Sequence, residues 1–146
     1  MIPTHLIVHC SDSEWGSARV IREWHLQRGW KDVGYHFVIL NGWIASNIVI
    51  PMLNGSIEVG RGISEVGAHC LGFNDHSLGI CGIAKNKWTP SQEISLCVLL
   101  LELSRMFKIP VENILGHGET DSGREEGKTC PNLGMDRIRA LVEGKK

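Results

Sequence analysis

The sequence predicts an α/β fold: a central mixed β-sheet flanked by helices. Three observations carry that expectation. Short apolar runs of strand length, at residues 5–9 and 78–84, alternate with longer segments of helical periodicity. Asn41-Gly42 and Asn54-Gly55 mark tight turns of the kind that join antiparallel strands, so strands paired in both senses are expected. No internal repeat or linker interrupts the 146 residues, so the chain 1–146 reads as a single domain.

The elements follow in order. Residues 5–9 (HLIVH) suit a buried strand. Ser17 can cap a helix running to about Arg28, with Val20, Ile21 and Trp24 on one face and Gly29 as the stop. Residues 35–40 are aromatic and β-branched, and 35–60 should fold as two or three antiparallel strands. Residues 62–76, with Gly62, Gly67, Gly72 and Asn74, read as irregular; 78–84 resumes a strand that Gly79 and Gly82 weaken. Thr89-Pro90-Ser91-Gln92 has the N-cap, first-position proline and capping-box glutamine of a helix start. Ile94, Cys97, Val98 and Leu101 then form one face, widened by Leu99, Leu100 and Leu103, which predicts a helix buried on most sides. Ile114-Leu115 is a brief strand, 118–129 a polar loop, and Asp136 starts a last helix with Ile138, Leu141 and Val142.

Composition excludes several classes. At 42% hydrophobic and 21% charged the chain is globular rather than disordered. A net charge of −1 offers no broad basic surface, so neither nucleic acid nor stable membrane association is expected. The longest apolar runs, 48–53 and 96–103, are core-sized rather than membrane-spanning. The N-terminus has no basic stretch followed by an apolar run, so no signal peptide is expected. Five cysteines without a CxxC pair read as reduced thiols of a cytoplasmic protein.

The residues that could carry chemistry are His9 and His117, each ending a predicted strand, and Cys130, which precedes Pro131. Two imidazoles and a thiolate can hold a catalytic zinc and leave a fourth position open. Each also has a plain structural reading, as a core histidine or a small buried thiol. Spacing does not decide between them, because no short metal signature is present. A cysteine hydrolase using Cys130 or Cys10 stays open on the same residues.

An ordered series of motifs adds a resemblance. Val8-His9-Cys10-Ser11, Ile21-Arg22-Glu23-Trp24-His25 and the run 29–37 (GWKDVGYHF) are followed by Gly60-Arg61, Val66-Gly67-Ala68-His69, Gly72-Phe73-Asn74 and Ser77-Leu78-Gly79-Ile80-Cys81. Trp88-Thr89-Pro90-Ser91-Gln92, Gly116-His117 and Lys128-Thr129-Cys130-Pro131 complete it. The series resembles the zinc-dependent N-acetylmuramoyl-L-alanine amidases, which include bacteriophage amidase-type lysozymes (endolysins) and the peptidoglycan recognition proteins. That resemblance implies their α/β fold, one zinc per chain on His9, His117 and Cys130, and catalytic roles for Tyr35 and Lys128. It also implies substrate-lining roles for His69 and Asn74. His25, His36 and Arg61 match the pattern but are expected to serve structure, with a possible part in orienting metal-bound rings. Cys10, Cys81 and Cys97 are expected to be packing thiols, and His5 and His76 carry no functional expectation.

The implied reaction is hydrolysis of the amide between the lactyl group of N-acetylmuramic acid and L-alanine. The expected partner is peptidoglycan, the expected state a monomer. The protein would wait in the host cytoplasm until released to the cell wall. Two other functions stand beside the lytic one: a non-catalytic peptidoglycan-binding module and a bacterial or prophage amidase of cell-wall recycling. Relatives that bind without cutting typically lack the cysteine, so Cys130 favours an enzyme. Against the resembled family, the stretch 43–53 is extra length that could extend a strand pair or form a lip over the groove.

Overall fold

The computed structural model describes residues 1–144. Its strands are β1 (His5–Cys10), β2 (Phe37–Ile39), β3 (Trp43–Ala45), β4 (Ile48–Val49), β5 (Ile57–Val59), β6 (Ser77–Gly82) and β7 (Ile114–Gly116). Helices are α1 (Ala18–Gln27), α2 (Pro90–Phe107), α3 (Asp121–Glu125) and α4 (Met135–Val142). The main sheet runs β5-β2-β6-β1-β7, with β2, β6, β1 and β7 parallel and β5 antiparallel at one edge. This is the expected mixed sheet. No helix among the described residues is long and apolar enough to cross a membrane.

Strand alternation splits the interior into two layers. Leu6, Val8, Leu78, Ile80 and Ile39 face a large cluster with α2 and α4, whereas Val38, Leu40, Cys81 and Ile83 pack with Ile21. β1 lies between β6 and β7, which is why its run of apolar residues is continuous rather than alternating. Its only polar buried side chain is His9 at the carboxyl end. The two glycines that weaken β6 as a strand clear room for rings: a Cβ on Gly79 would meet the His69 ring at 2.6 Å, and one on Gly82 would overlap the Trp88 indole.

α1 begins as expected, with Ser17 Oγ accepting from Val20 N at 3.2 Å. α2 carries both bonds of the capping box, Gln92 N to Thr89 Oγ1 at 3.1 Å and Thr89 N to Gln92 Oε1 at 3.0 Å. Its buried face differs from the expected one. Gln92, Leu96, Leu100 and Leu103 are inside, while Ile94 and Val98 are 67% and 55% exposed. The helix is therefore not buried on most sides. Gln92 explains the rotation: its Nε2 donates to Ile39 O at 3.0 Å and Ile83 O at 2.9 Å, which bolts that stripe to the sheet.

Three further differences are local. α4 starts at Met135, one residue before the expected Asp136, and Leu141 is 48% exposed rather than packed. The stretch expected as a loop contains a 3-10 turn at His117–Glu119 and the short α3, capped by Thr120 Oγ1 on Gly123 N. Five residues without apolar periodicity leave little pattern to read. Residues 43–53 form a separate ribbon, β3-β4, and a 3-10 turn at Pro51–Leu53, here called the flap.

Buried His36 and Arg61 brace the irregular stretch 61–76, and buried His25 holds the turn at Gly34. His36 Nδ1 accepts from Gly79 N at 3.0 Å while its Nε2 donates to Glu65 O at 2.7 Å. Arg61 donates to Val33 O at 2.7 Å and Val66 O at 2.6 Å. His25 Nδ1 accepts from Gly34 N at 2.9 Å, and burial, aided by the Arg28 and Arg61 charges, pushes its pKa from 6.5 down to about 4. Its neutral form is thus the folded form. The unfolded chain binds the proton more readily, so His25 leaves stability intact above about pH 6.5 and removes it as pH falls towards 4. His25→Asn, which keeps an acceptor for Gly34 N and cannot titrate there, is expected to flatten part of the fall in melting temperature across that interval. Parallel melting curves of the two proteins from pH 7 to pH 4 check this; superimposable slopes would show that His25 plays no part.

Candidate active site

Neighbouring parallel strands present their carboxyl ends together, where α/β sheets commonly bind ligands. His9 is the penultimate residue of β1, and His117 follows β7 directly. The segment after α3 returns Cys130 to the same place. Gly118 N donates to Cys130 O at 2.8 Å, Lys128 N to Gly123 O at 2.8 Å, and the Trp88 indole to Pro131 O at 2.8 Å. One ligand atom each from His9, His117 and Cys130 lie within 4.8 Å of one another, and the two rings are 4.6 Å apart. Cys10 N also donates to Cys130 Sγ at 3.0 Å.

The hydrogen bonds around His9 fix where its protons are. Ser77 Oγ donates to Phe73 O at 2.7 Å, so it is an acceptor for His69 Nε2 at 3.3 Å. His69 Nδ1 is then unprotonated and accepts from His9 Nε2 at 2.9 Å. His9 is left with its Nδ1 lone pair as the free donor atom. Burial, together with the neighbouring imidazoles, holds His9 well below its ordinary pKa of 6.5 and lowers His69 to about 3. His117 is lowered chiefly by burial, with Glu126 opposing and Lys128 assisting. All three rings are therefore neutral near pH 7, the state in which imidazole binds a metal.

All seven residues singled out in the sequence line one cleft of about 690 Å³: His9, Tyr35, His69, Asn74, His117, Lys128 and Cys130. Their settings differ. The Tyr35 ring lies 5.0 Å from the His9 ring, and burial raises its phenol well above 10, with nearby thiols adding to the effect. Lys128 is exposed on the rim, with Glu126 Oε2 at 3.9 Å from its ammonium. His69 faces the cleft but its ring is committed to His9 and Ser77. Asn74 Oδ1 accepts from His69 N at 2.7 Å and Cys70 N at 2.9 Å, so it shapes the loop that carries His69. His25, His36 and Arg61 bond to main-chain groups, and the ring bonded to His9 is His69.

Cys10, read in the sequence as a packing thiol with a cysteine-hydrolase role left open, lines the cleft beside Cys130. The neighbouring thiol lowers Cys10 to about 7, while the same neighbour together with burial pushes Cys130 up. Adjacency to His9 at a strand end was the one available signal in the sequence.

The chain matches the N-acetylmuramoyl-L-alanine amidase family over residues 1–133. It belongs to that family. It is similar to the endolysin of Escherichia phage T7, 34% identical over 143 residues that cover 90% of this chain and 82% of that one. Among solved structures it superposes on the amidase LysC from Clostridium intestinale with a TM-score of 0.81 and 26% identity, covering 100% of this chain and 88% of that one. Drosophila PGRP-LB, in a mutant form in complex with tracheal cytotoxin, superposes with a TM-score of 0.68 and 25% identity over 90% of this chain and 76% of that one. The amidase is therefore endolysin-like in sequence and amidase-like in fold, and its cleft is the place where amide hydrolysis must be explained.

Proposed function

We propose that this amidase is a zinc enzyme that cuts the bond between the lactyl group of N-acetylmuramic acid and L-alanine in peptidoglycan. The observation that carries the reading is the donor set: two neutral imidazoles and a thiol converging within 4.8 Å, with the His9 proton fixed on the nitrogen facing His69. Those residues fit zinc, which takes nitrogen and sulfur ligands in catalytic sites and leaves a position for water. What the ion supplies when bound is Lewis acidity, which polarises the scissile carbonyl and makes water a competent nucleophile near neutral pH. One zinc per chain, held by His9, His117 and Cys130, completes the site.

The remaining steps fall to side chains. Tyr35 keeps its proton at neutral pH, because its phenol is pushed above 10, so it acts as a hydrogen-bond donor rather than a base. Lys128, on the open rim, presents an ammonium where negative charge develops on the carbonyl oxygen. His69 and Asn74 set the ring of His9 and the wall beside it, and that wall borders the stem peptide. The domain of residues 1–146 acts as a monomer. It is made in the host cytoplasm and degrades the wall once released, as befits its endolysin relatives.

Digestion of purified peptidoglycan is expected to release amino groups of L-alanine with no new reducing ends, and chelation is expected to abolish the release. Reducing ends without amino groups would identify a glycosidase; chelator-resistant release would identify a thiol hydrolase using Cys10 or Cys130. His69→Ala is expected to lower zinc affinity about 10–100-fold, the usual effect of losing the group that orients a ligating imidazole. A competition titration with a chromogenic chelator measures it, and unaltered affinity would exclude His69 from that role. Tyr35→Phe and Lys128→Ala are each expected to slow turnover by about 10²-fold, typical for one oxyanion donor, with zinc content and melting temperature unchanged. Turnover, bound zinc and melting temperature taken on the same preparations separate slow chemistry from poor folding.

A further inference from the structure

We propose that a second cleft, between the flap and the loop 84–89, binds the peptide-free glycan strand that amide hydrolysis leaves behind; this rests on the amidase reading above. The cleft has a volume of about 660 Å³, and its lining includes Trp15, Trp43, Glu14, Lys85, Asn86 and Lys87. Nothing in the catalytic steps uses these residues.

The main chain of Trp43 and the ring of Trp15 are held in place. Trp43 N donates to Asn41 Oδ1 at 2.9 Å and Trp43 O accepts from Gly16 N at 2.9 Å, yet the residue is 42% exposed. Trp15 packs edge-on against Trp24 at 5.6 Å and stays half-buried. Partly bare indoles, with few rotatable bonds, offer flat apolar faces at little entropic cost, which suits the C–H faces of pyranose rings.

Charge selects which glycan. Hydrolysis of the lactyl–alanine amide breaks the C–N bond: the carbonyl carbon takes the hydroxyl of water and the alanine nitrogen takes the proton. Each cut therefore leaves a free lactyl carboxylate on the sugar, where the intact amide had no charge. Lys85 and Lys87 are exposed and have no ion-pair partner among the described residues. Both lysines line the cleft, and the lining includes one carboxylate residue, Glu14. A denuded strand of N-acetylated amino sugars matches both the indoles and the cations; a free stem peptide matches only the cations.

The two clefts adjoin. Asp12 lines the catalytic cleft and Glu14 this one, and Asn132 of the catalytic cleft donates to Lys85 O at 2.7 Å. Ser11 Oγ accepts from Ala84 N at 3.2 Å across the same ridge. A single strand lying over that ridge places already-cut sugars on the tryptophans while the next stem peptide enters the catalytic cleft.

Calorimetry with two probes tests this: peptide-free glycan strands carrying lactyl carboxylates, and N-acetylglucosamine oligomers of equal length, which lack them. The wild type is expected to bind the first several-fold more tightly, with the preference vanishing at high salt. Trp43→Ala is expected to weaken both by at least about fivefold, the scale of one lost aromatic contact. Lys85→Ala/Lys87→Ala is expected to abolish the preference alone. Both variants should hydrolyse a soluble single-disaccharide muropeptide at the wild-type rate while showing a raised KM on long strands. The double lysine variant leaves the flap untouched, so it decides the matter even where Trp43→Ala folds poorly. Absent wild-type binding of either probe, or a retained preference in the lysine variant, overturns the proposal. Failure of the amidase reading shows itself separately, as no amine release by the wild type on the muropeptide.

Discussion

A buried imidazole must be neutral and hydrogen-bonded, and in this protein that requirement at His9 organises much of the rest. The ring is 1% exposed near the carboxyl end of β1, where an unpartnered polar group would cost several kcal/mol by the usual ~2–7 kcal/mol scale. Its partner is His69, and His69 needs both Ser77 behind it and space beside β6. Gly79 and Gly67 provide the space, since a Cβ on either would stand 2.6 Å from the His69 ring. Holding His69 in turn requires the irregular stretch 61–76, which has no regular ladder to support it. Arg61, His36 and Asn74 do so through main-chain bonds. One buried nitrogen thus accounts for two glycines, three polar side chains and the course of a long loop.

The same burial tunes the chemistry. Desolvation keeps the site imidazoles neutral and the Tyr35 phenol protonated, so the cleft is supplied with lone pairs on one wall and a proton donor on the other. Charge is confined to the rim, where Lys128 and Glu126 stand in solvent. A wall of neutral imidazoles and phenol with a lysine at the edge suits a reaction whose scissile amide is neutral and whose transition state is anionic. The Cys10 main-chain N–H aimed at Cys130 Sγ places one more hydrogen-bond donor at that end of the cleft.

Elements that depend on local chemistry were legible from the residues. The capping box at Thr89, the Ser17 cap and the strand run of residues 5–9 all formed where the pattern placed them, because caps and buried strands are decided within a few residues. Ordered motifs along the chain likewise brought seven separated residues to one cleft. The rotation of α2 was not legible. Its apolar residues surround the helix, so periodicity cannot choose a face; Gln92 chooses it by bonding to two carbonyls from β2 and the end of β6. The bonded partner of His9 was equally hidden, since five histidines share the neighbourhood and only packing decides which rings meet.

The sequence by itself determined the mixed α/β architecture, the starts of the well-capped helices and the types of residue available for hydrolysis. Those follow from short-range preferences and from motif order, which the chain carries without reference to its fold. Tertiary structure alone decided which nitrogen of His9 is free, which face of α2 is buried, and that the flap with Trp43 stands apart from the main sheet to wall a second cleft. Each of these is settled by contacts between residues far apart in the chain, such as Gln92 with Ile39 and His9 with His69, whose geometry no local pattern encodes.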